Sequence, residues 1–452
     1  MKFATSTRLA ACLAAASLAL TACGSGSAEP SSSGGAVDGK GKTLNVLVNI
    51  NAAYPEQQKA WMQDIASKFK AQTGAEVKFE TFANANEELT RIQTSVVSGQ
   101  GPDVYSLGTT FTPTAYATKA FVTLKDEDWK KVGGKDRFNA AALGISGPDK
   151  DNLAGIPFVS RPFVMAYNKE LLAAAGIDKP ATTWDGLRDQ AKKTTNASAG
   201  TYGMAVAYKD NFDPWKFIWA MSVQAGNKLV DGGKASMEDP ATKKAYETYF
   251  GWLVEDEIVD PASIGWSNSQ ALASFAAGKT AFFPMTTSNS IPTLEKSAMA
   301  GKYEYALMPL AAPGDTKPSQ ETPAASILSG DNLVVADYSQ NKDLSFAYIK
   351  LITSTEEQLN YQKIFGDLPA NAEALKQLSS DPKFAAITDA ATKSQATPFT
   401  GAWADYQLAL MNVVVQSVPE LAGGSVPDSA LSQRLKDGQS KVQASLDRAA
   451  KG

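Results

Sequence analysis

The 452-residue sequence contains no histidine. That excludes Ser-His-Asp and Cys-His catalysis, and every metal site that needs imidazole. Cysteine is nearly absent as well, with only Cys12 and Cys23. No Lys/Arg-rich run and no internal repeat occurs. With 43 basic against 47 acidic residues the net charge is −4, which is the wrong sign and distribution for a nucleic-acid surface. Beyond the N-terminal run no segment is long and apolar enough to cross a membrane. Composition does not exclude an enzyme working through two carboxylates.

What is present begins at the N-terminus. Lys2 and Arg8 precede an Ala/Leu run from Leu9 to Leu20 in which Ser17 is the only polar residue besides Cys12. The run is too short to span a bilayer and suits a signal-peptide core. Leu20-Thr21-Ala22-Cys23 resembles a bacterial lipobox, in which the cysteine is acylated and becomes the new N-terminus. Residues 1–22 then read as a signal peptide that takes Cys12 with it, and residues 23–42 as a lipidated Cys23 on a flexible Gly/Ser tether. An ordinary secretory signal with a chance cysteine is the bland alternative. Loss of Lys2 and Arg8 lowers the net charge from −4 to −6. Roughly 410 residues remain, enough for two or three domains of ~100–200 residues.

The remainder alternates strand and helix signals. TLNVLV (43–48) reads as a strand. Pro55 opens a helix carrying Trp61, Ile65 and Phe69, which Gly74 stops. Val77–Phe82 is a second strand; Leu89, Ile92 and Val96 mark a helix ending at Gly99; Asp103–Leu107 is a third strand. Strand, helix, strand, helix, strand predicts a parallel α/β sheet. Pro157–Tyr167 reads as extended, Lys169–Ala175 as a helix closed by Gly176, and Thr182–Asp185 as a helix cap. Tyr202–Tyr208 reads as a strand, Thr242–Glu255 as a helix, and Gln270–Ala277 as a helix before a strand over Thr280–Met285. Asn332–Ala336 is a further strand. Leu344, Ala347, Tyr348 and Leu351 mark a helix, Ser354 with Glu357 forms a capping box, and the tail after Asp428 is helical.

Two tempting motifs fail on spacing. Gly278-Lys279-Thr280 is the second half of a phosphate loop, but Ala273 stands where its first glycine belongs. Helix precedes and strand follows, the reverse of the motif. Asp149-Lys150-Asp151-Asn152 does not fit a calcium loop, because Leu153 and Ala154 occupy a ligand and the glycine position. No cofactor and no metal is expected. Tryptophan is more informative. Trp252 on its helix reads as core, whereas Trp215, Trp266 and Trp403 lie in polar contexts, FDPWKF, IGWSNSQ and TGAWADY. Core packing and ligand stacking are equally compatible with those three. A flat ring beside Asp, Asn or Arg suits the C–H face of a sugar and its hydroxyls.

Four segments in order resemble the extracellular solute-binding proteins of ABC importers, in the carbohydrate-type family that includes maltose-binding protein. They are SGQGPDVYSL (98–107), GIPFVSRPFVMAYNKELLAAAGIDKPATTWDGL (155–187), FAAGKTAFF (275–283) and SGDNLVVADYSQNKDLSFAYIKLITSTEEQLNYQKIFGDLPA (329–370). No one of them is specific; the four in register are. The resemblance implies an α/β, two-lobe periplasmic-binding-protein-like fold of type II, with hinge strands and a ligand cleft between the lobes. It places lobe 1 at 43–156 plus 314–367 and lobe 2 at 157–313 plus 368–452, with crossings near Pro157, Pro313 and Pro369.

From loops at strand ends, the resemblance points to Asn51, Tyr54, Thr109, Arg161, Asp213, Trp215, Trp266, Thr287, Asp331, Asn332 and Trp403 as ligand-binding residues. For Arg161 a structural salt bridge is an equal alternative. Thr286, Thr287 and Ser288 stand where many family members carry a Trp, which argues against a long maltodextrin.

The function implied is reversible capture of a mono-, di- or short oligosaccharide and delivery to ABC permease subunits, without catalysis. The protein would be a monomer held by lipid on the extracellular face of the cytoplasmic membrane, or on the periplasmic side if there is an outer membrane. Alternatives are a binder of another polar solute (polyol phosphate, polyamine, peptide), then an anchored glycoside hydrolase, then a structural lipoprotein.

Overall fold

The computed structural model describes residues 37–210, 214–318 and 326–451. The leader, Cys23 and Asp213 therefore lie outside the described residues. Described structure starts at Val37, six residues before the first strand. Gly39 N–H donates to Thr73 O (2.7 Å) and Glu76 N–H to Lys42 O (2.9 Å), so residues 37–42 of the expected tether pack on the folded unit.

The apolar alternation of TLNVLVN buries both faces of β1 (Thr43–Asn49), with Leu44, Val46 and Val48 toward one core and Leu47 toward the other. The strands that follow are β2 (Glu76–Phe82), β3 (Val104–Gly108), β4 (Ile156–Ser160), β5 (Val164–Asn168) and β6 (Tyr202–Met204). A small ribbon, β7 (Val230–Asp231) and β8 (Lys234–Ala235), precedes β9 (Thr280–Thr286), β10 (Tyr303–Leu307), β11 (Gly330–Val335) and β12 (Leu368–Pro369).

Two sheets define the two lobes. The first has the order β12-β4-β11-β3-β1-β2 and the second β10-β5-β9-β6. In the first sheet β1, β2 and β3 are parallel, and β11 runs antiparallel to both β3 and β4. The C-terminal ends of β1 to β4 and the start of β11 thus share one edge. In the second sheet the start of β5 at Val164 lies opposite Thr286 of β9 and Leu307 of β10. Only residues 161–163 connect Ser160 to Val164, so the two edges lie on either side of the same short crossing.

Pro157 lies inside β4 and Pro369 inside β12, and both strands belong to the first sheet. The single extended run read over Pro157–Tyr167 is two strands, because the chain changes sheets at Arg161-Pro162-Phe163. Connecting segments lie side by side there. Arg161 N–H donates to Ser329 O (2.7 Å), Leu328 N–H to Gln395 O (2.7 Å) and Gln395 N–H to Ser326 O (3.0 Å). β6 is shorter than the strand read at 202–208. Beyond Met204 the chain turns away and the Tyr208 hydroxyl donates to Tyr249 O (2.8 Å).

Helices Pro55–Thr73, Lys342–Ile352 and Thr355–Phe365 cover one face of the first sheet, burying Trp61, Ile65, Phe69, Tyr348 and Phe365. Ser354 caps the third of these, accepting from Glu357 N–H (3.2 Å), while the Glu357 carboxylate turns to Lys68 (2.7 Å) instead of closing a capping box. Helices Ala85–Ser98 and Thr112–Ala117 cover the opposite face and meet helix Trp403–Ala422 of the second lobe. Trp252 is 1 % exposed, packed 5.6 Å from Trp184, as a core residue should be. Gly278 makes the turn between helix Asn268–Ala276 and β9, so Gly-Lys-Thr is a helix stop rather than a phosphate loop. Asp149 accepts from the N–H groups of Asp151 (2.8 Å) and Asn152 (3.0 Å), closing a local turn. Among the described residues no helix is long and apolar enough to cross a membrane, and no acidic group gathers that could hold a metal.

Candidate functional site

The facing edge of the first sheet carries a buried ionic cluster. Arg161 follows β4, Asp331 is the second residue of β11, and Asp367 immediately precedes β12. The Arg161 guanidinium grips Asp367 through Nε (2.9 Å) and Nη2 (2.8 Å), and donates from Nη1 to Asp331 (2.7 Å). The Asp367 side chain is 2 % exposed and that of Arg161 23 %. Burial opposes the charge on Arg161, but the two carboxylates outweigh it and hold its pKa well above the usual value. Burial pushes Asp331 upward against the pull of Arg161. A bidentate guanidinium–carboxylate pair fixes geometry as well as charge.

Beside this cluster lies Glu88, a residue not among those expected from the sequence. Its helix was read with Leu89, Ile92 and Val96 inside; the buried stripe is Ala85, Glu88, Ile92 and Ser95. Glu88 is 2 % exposed, and its Oε1 accepts the N–H of Gly108 (3.1 Å), the residue paired with Asp331 across the β3–β11 ladder. Burial pushes its carboxyl well above the ordinary range, and neighbouring Asp331 adds to the shift. Thr109 comes next in the chain. Its N–H donates to Gly330 O (2.9 Å), whereas its buried hydroxyl has no partner among the described residues.

In the second lobe Trp215, in the first turn of helix Pro214–Gln224, stands 6.2 Å from Trp403, the first residue of helix Trp403–Ala422, with the rings at 70°. Trp403 also stacks on Tyr406 at 5.3 Å. Both indole N–H groups are buried without a partner among the described residues, as is Oε1 of Gln407, one turn after Trp403. Unsatisfied buried polar atoms are costly, and three of them lie on these two helices.

The other candidates are placed differently. Asn51 closes a turn, accepting from the N–H of Ala53 (3.2 Å) and Tyr54 (3.1 Å). Tyr54 reaches across the lobes: its hydroxyl donates to Asn289 O (2.6 Å) and lies 2.9 Å from Thr293 Oγ1. Thr287 caps the short turn after β9, and Trp266 is half-buried against the cluster around Phe275 and Phe283. Asn332 points away from the cleft; its amide bonds to Ser146 Oγ (2.9 Å), Thr112 Oγ1 (3.0 Å) and Ile145 O (3.1 Å). A hollow of about 760 Å³ lies elsewhere, lined by Lys192, Tyr202, Leu253, Asp256 and Leu421, and includes neither the arginine cluster nor the tryptophan pair.

Comparison with known proteins agrees with this architecture. Residues 64–386 match the family of bacterial extracellular solute-binding proteins, and the chain belongs to that family. Membership places it among transport binding proteins rather than enzymes. The diacetylchitobiose binding protein DasA of Streptomyces coelicolor is 28 % identical over 396 residues, covering 86 % of this chain and 87 % of the relative. An ABC transporter solute-binding protein from Thermotoga lettingae, solved with alpha-D-tagatose, superposes with a TM-score of 0.73 at 22 % identity, covering 89 % of this chain and 100 % of that one. One from Agrobacterium radiobacter, in complex with ribitol, gives 0.74 at 21 %, covering 89 % and 99 %. The fold is that of a two-lobe binding protein.

Proposed function

We propose that this chain is the sugar-capturing component of an ABC importer, held outside the cell by lipid on Cys23, and that it delivers a mono-, di- or short oligosaccharide to permease subunits. The observation that carries the reading is the pair of polar features in the two lobes. One lobe has the buried indoles Trp215 and Trp403, whose N–H groups have no partner among the described residues, and the other a cluster of carboxyls and a guanidinium. Rings suit the C–H faces of a pyranose, and ionic and amide groups its hydroxyls. Segments 161–163 and 326–329, with Gln395 beside them, serve as the hinge in this reading. Membership in an extracellular family and the relatives solved with a sugar or polyol support it.

A thermal-shift screen of the full chain against sugars, polyols, polyamines and peptides tests the reading. A ligand at ~100 times its dissociation constant adds about 2.7 kcal/mol of stability. The expected result is a shift with at least one sugar and no product after prolonged incubation. A shift confined to a polyamine, a peptide or a polyol phosphate would replace the sugar reading.

A further inference from the structure

Residues 394–402 join two helices of lobe 2 but are held by lobe 1. They leave helix Ala385–Lys393, whose Ile387 and Ala390 share a core with Val164 and Tyr303 of the second sheet, and enter helix Trp403–Ala422. Between these helices Thr114 Oγ1 donates to Gly401 O (3.1 Å), and the rings of Tyr116 and Phe399 meet edge to face at 5.7 Å. Thr114, Tyr116 and Ala117 belong to helix Thr112–Ala117, which follows β3 in lobe 1. A Cβ on Gly401 would stand 2.5 Å from the Ala117 Cβ. Carbon atoms pack at about 3.5–4.0 Å. Neither methyl could swing aside, because a Cβ is fixed by its own backbone. Gly401 is not among the glycines with a left-handed backbone, so close approach is what its missing side chain provides.

We infer that Gly401 is a positioning residue for ligand capture, and that its bare Cα lets lobe 1 seat against the segment that carries Trp403. This deepens the carbohydrate reading and rests on it. Trp403 N–H donates to Thr400 O (2.9 Å), so residues 400–403 form one turn and a shift at Gly401 carries Trp403 with it. Trp215, 6.2 Å away, stands on helix Pro214–Gln224, which packs through Phe217 on Tyr249 and Trp252 of lobe 2. The spacing of the two indoles therefore follows the lobe angle, and closing the lobes and setting the indole pair are one movement. An added methyl at 401 is relieved only by parting helix Thr112–Ala117 from residues 399–401, which lowers the population with the lobes seated. Affinity falls with that population.

Small-angle scattering of the free protein and calorimetric titration with glucose, galactose, maltose and cellobiose test this on the full chain, with thermal midpoints measured beside them. Gly401→Ala is expected to enlarge the radius of gyration of the free protein and to weaken any of these sugars that the wild type binds by about tenfold. Adding Ala117→Gly removes the methyl it meets and is expected to restore both. Weaker binding that Ala117→Gly restores supports the inference even at an unchanged radius. A folded Gly401→Ala protein with the wild-type radius and no loss of affinity overturns it, as does a loss that Ala117→Gly leaves in place. A lower midpoint alone marks a structural role and also overturns it. Should Gly401→Ala not fold, Thr114→Val removes the hydrogen bond to Gly401 O from the lobe 1 side, and the wild-type radius and affinity in that variant overturn the inference. Silence of the wild type toward all four sugars counts against the carbohydrate reading, and the radius then decides this inference alone.

Discussion

At the scale of single residues the cleft edge is a balance of buried charge. Arg161 is the one cation paired with both Asp331 and Asp367 among the described residues, so removing it strands two carboxylates in a desolvated place. Breaking a buried pair from one side costs far more than the pair contributes intact. Arg161→Ala is expected to lower unfolding stability by about 3 kcal/mol, read from a denaturant midpoint. Arg161→Lys should recover little of this, because an ammonium cannot reproduce the two-pronged grip on Asp367.

Glu88 gives a prediction of opposite character. Its folded pKa is raised, so the folded state holds a proton that the unfolded chain gives up near the ordinary glutamate value of about 4.3. Its favourable contribution is complete below that value and is lost as pH rises toward the folded pKa. Glu88→Gln keeps a carbonyl for Gly108 N–H and removes the titration. The stability of the variant relative to wild type should therefore grow as pH is raised from 4 through neutrality, in thermal melts at constant ionic strength. A difference that stays flat across that range would show that Glu88 ionises as freely in the fold as in water.

At the scale of elements, local grammar and tertiary contact divide the work. The helix Trp184–Thr194 starts where Thr183 accepts from Gly186 N–H (3.1 Å), and Thr183→Ala should cost about 1 kcal/mol in denaturant unfolding. The helix Thr355–Phe365 ends at Gly366, with φ at +82°, and a Cβ there would come within 2.3 Å of Ser288 O in the other lobe. Gly366→Ala therefore combines left-handed strain with a backbone clash and should cost on the order of 2–3 kcal/mol.

Elements with a strong period and a cap, such as β1 and the helix from Pro55 to Gly74, were legible in the sequence. Sheet membership was not. Pro157–Tyr167 is apolar but for Ser160, Arg161 and the Tyr167 hydroxyl, and which half joins which sheet depends on partners more than a hundred residues away. The same limit applies at the candidate site. Arg161 and Asp331 follow from strand ends and a family resemblance, but Asp367 meets Arg161 across 206 positions and Glu88 meets Gly108 across 20. Asn332 shows a signal that could have been used. Neighbours on a strand point to opposite faces, so Asp331 and Asn332 do not share a direction. A carboxyl at Glu88, spaced three and four from Ala85 and Ile92, was the other available clue.

At the scale of the whole molecule the two lobes touch away from the segments that join them. The Tyr54 hydroxyl bonds to Asn289 O and Thr293 Oγ1, and Thr114 Oγ1 donates to Gly401 O (3.1 Å). If capture works by hinge closure, such contacts set how much of the population is competent to hold ligand, and affinity scales with that fraction. Tyr54→Phe keeps the ring against Phe365 (6.3 Å) but removes the bond and leaves Asn289 O wanting a donor. A lost buried hydrogen bond is worth about 1 kcal/mol, so affinity for a sugar found in the screen should fall roughly fivefold, mainly through faster release. Thr293→Val removes a partner that belongs only to the interlobe contact, so it should reproduce part of that loss. Stopped-flow dissociation rates on both variants separate the possibilities. Faster release in both marks Tyr54 as a clasp between lobes. Faster release in Tyr54→Phe alone marks its hydroxyl as a ligand contact that this hydrogen bond occupies until ligand arrives.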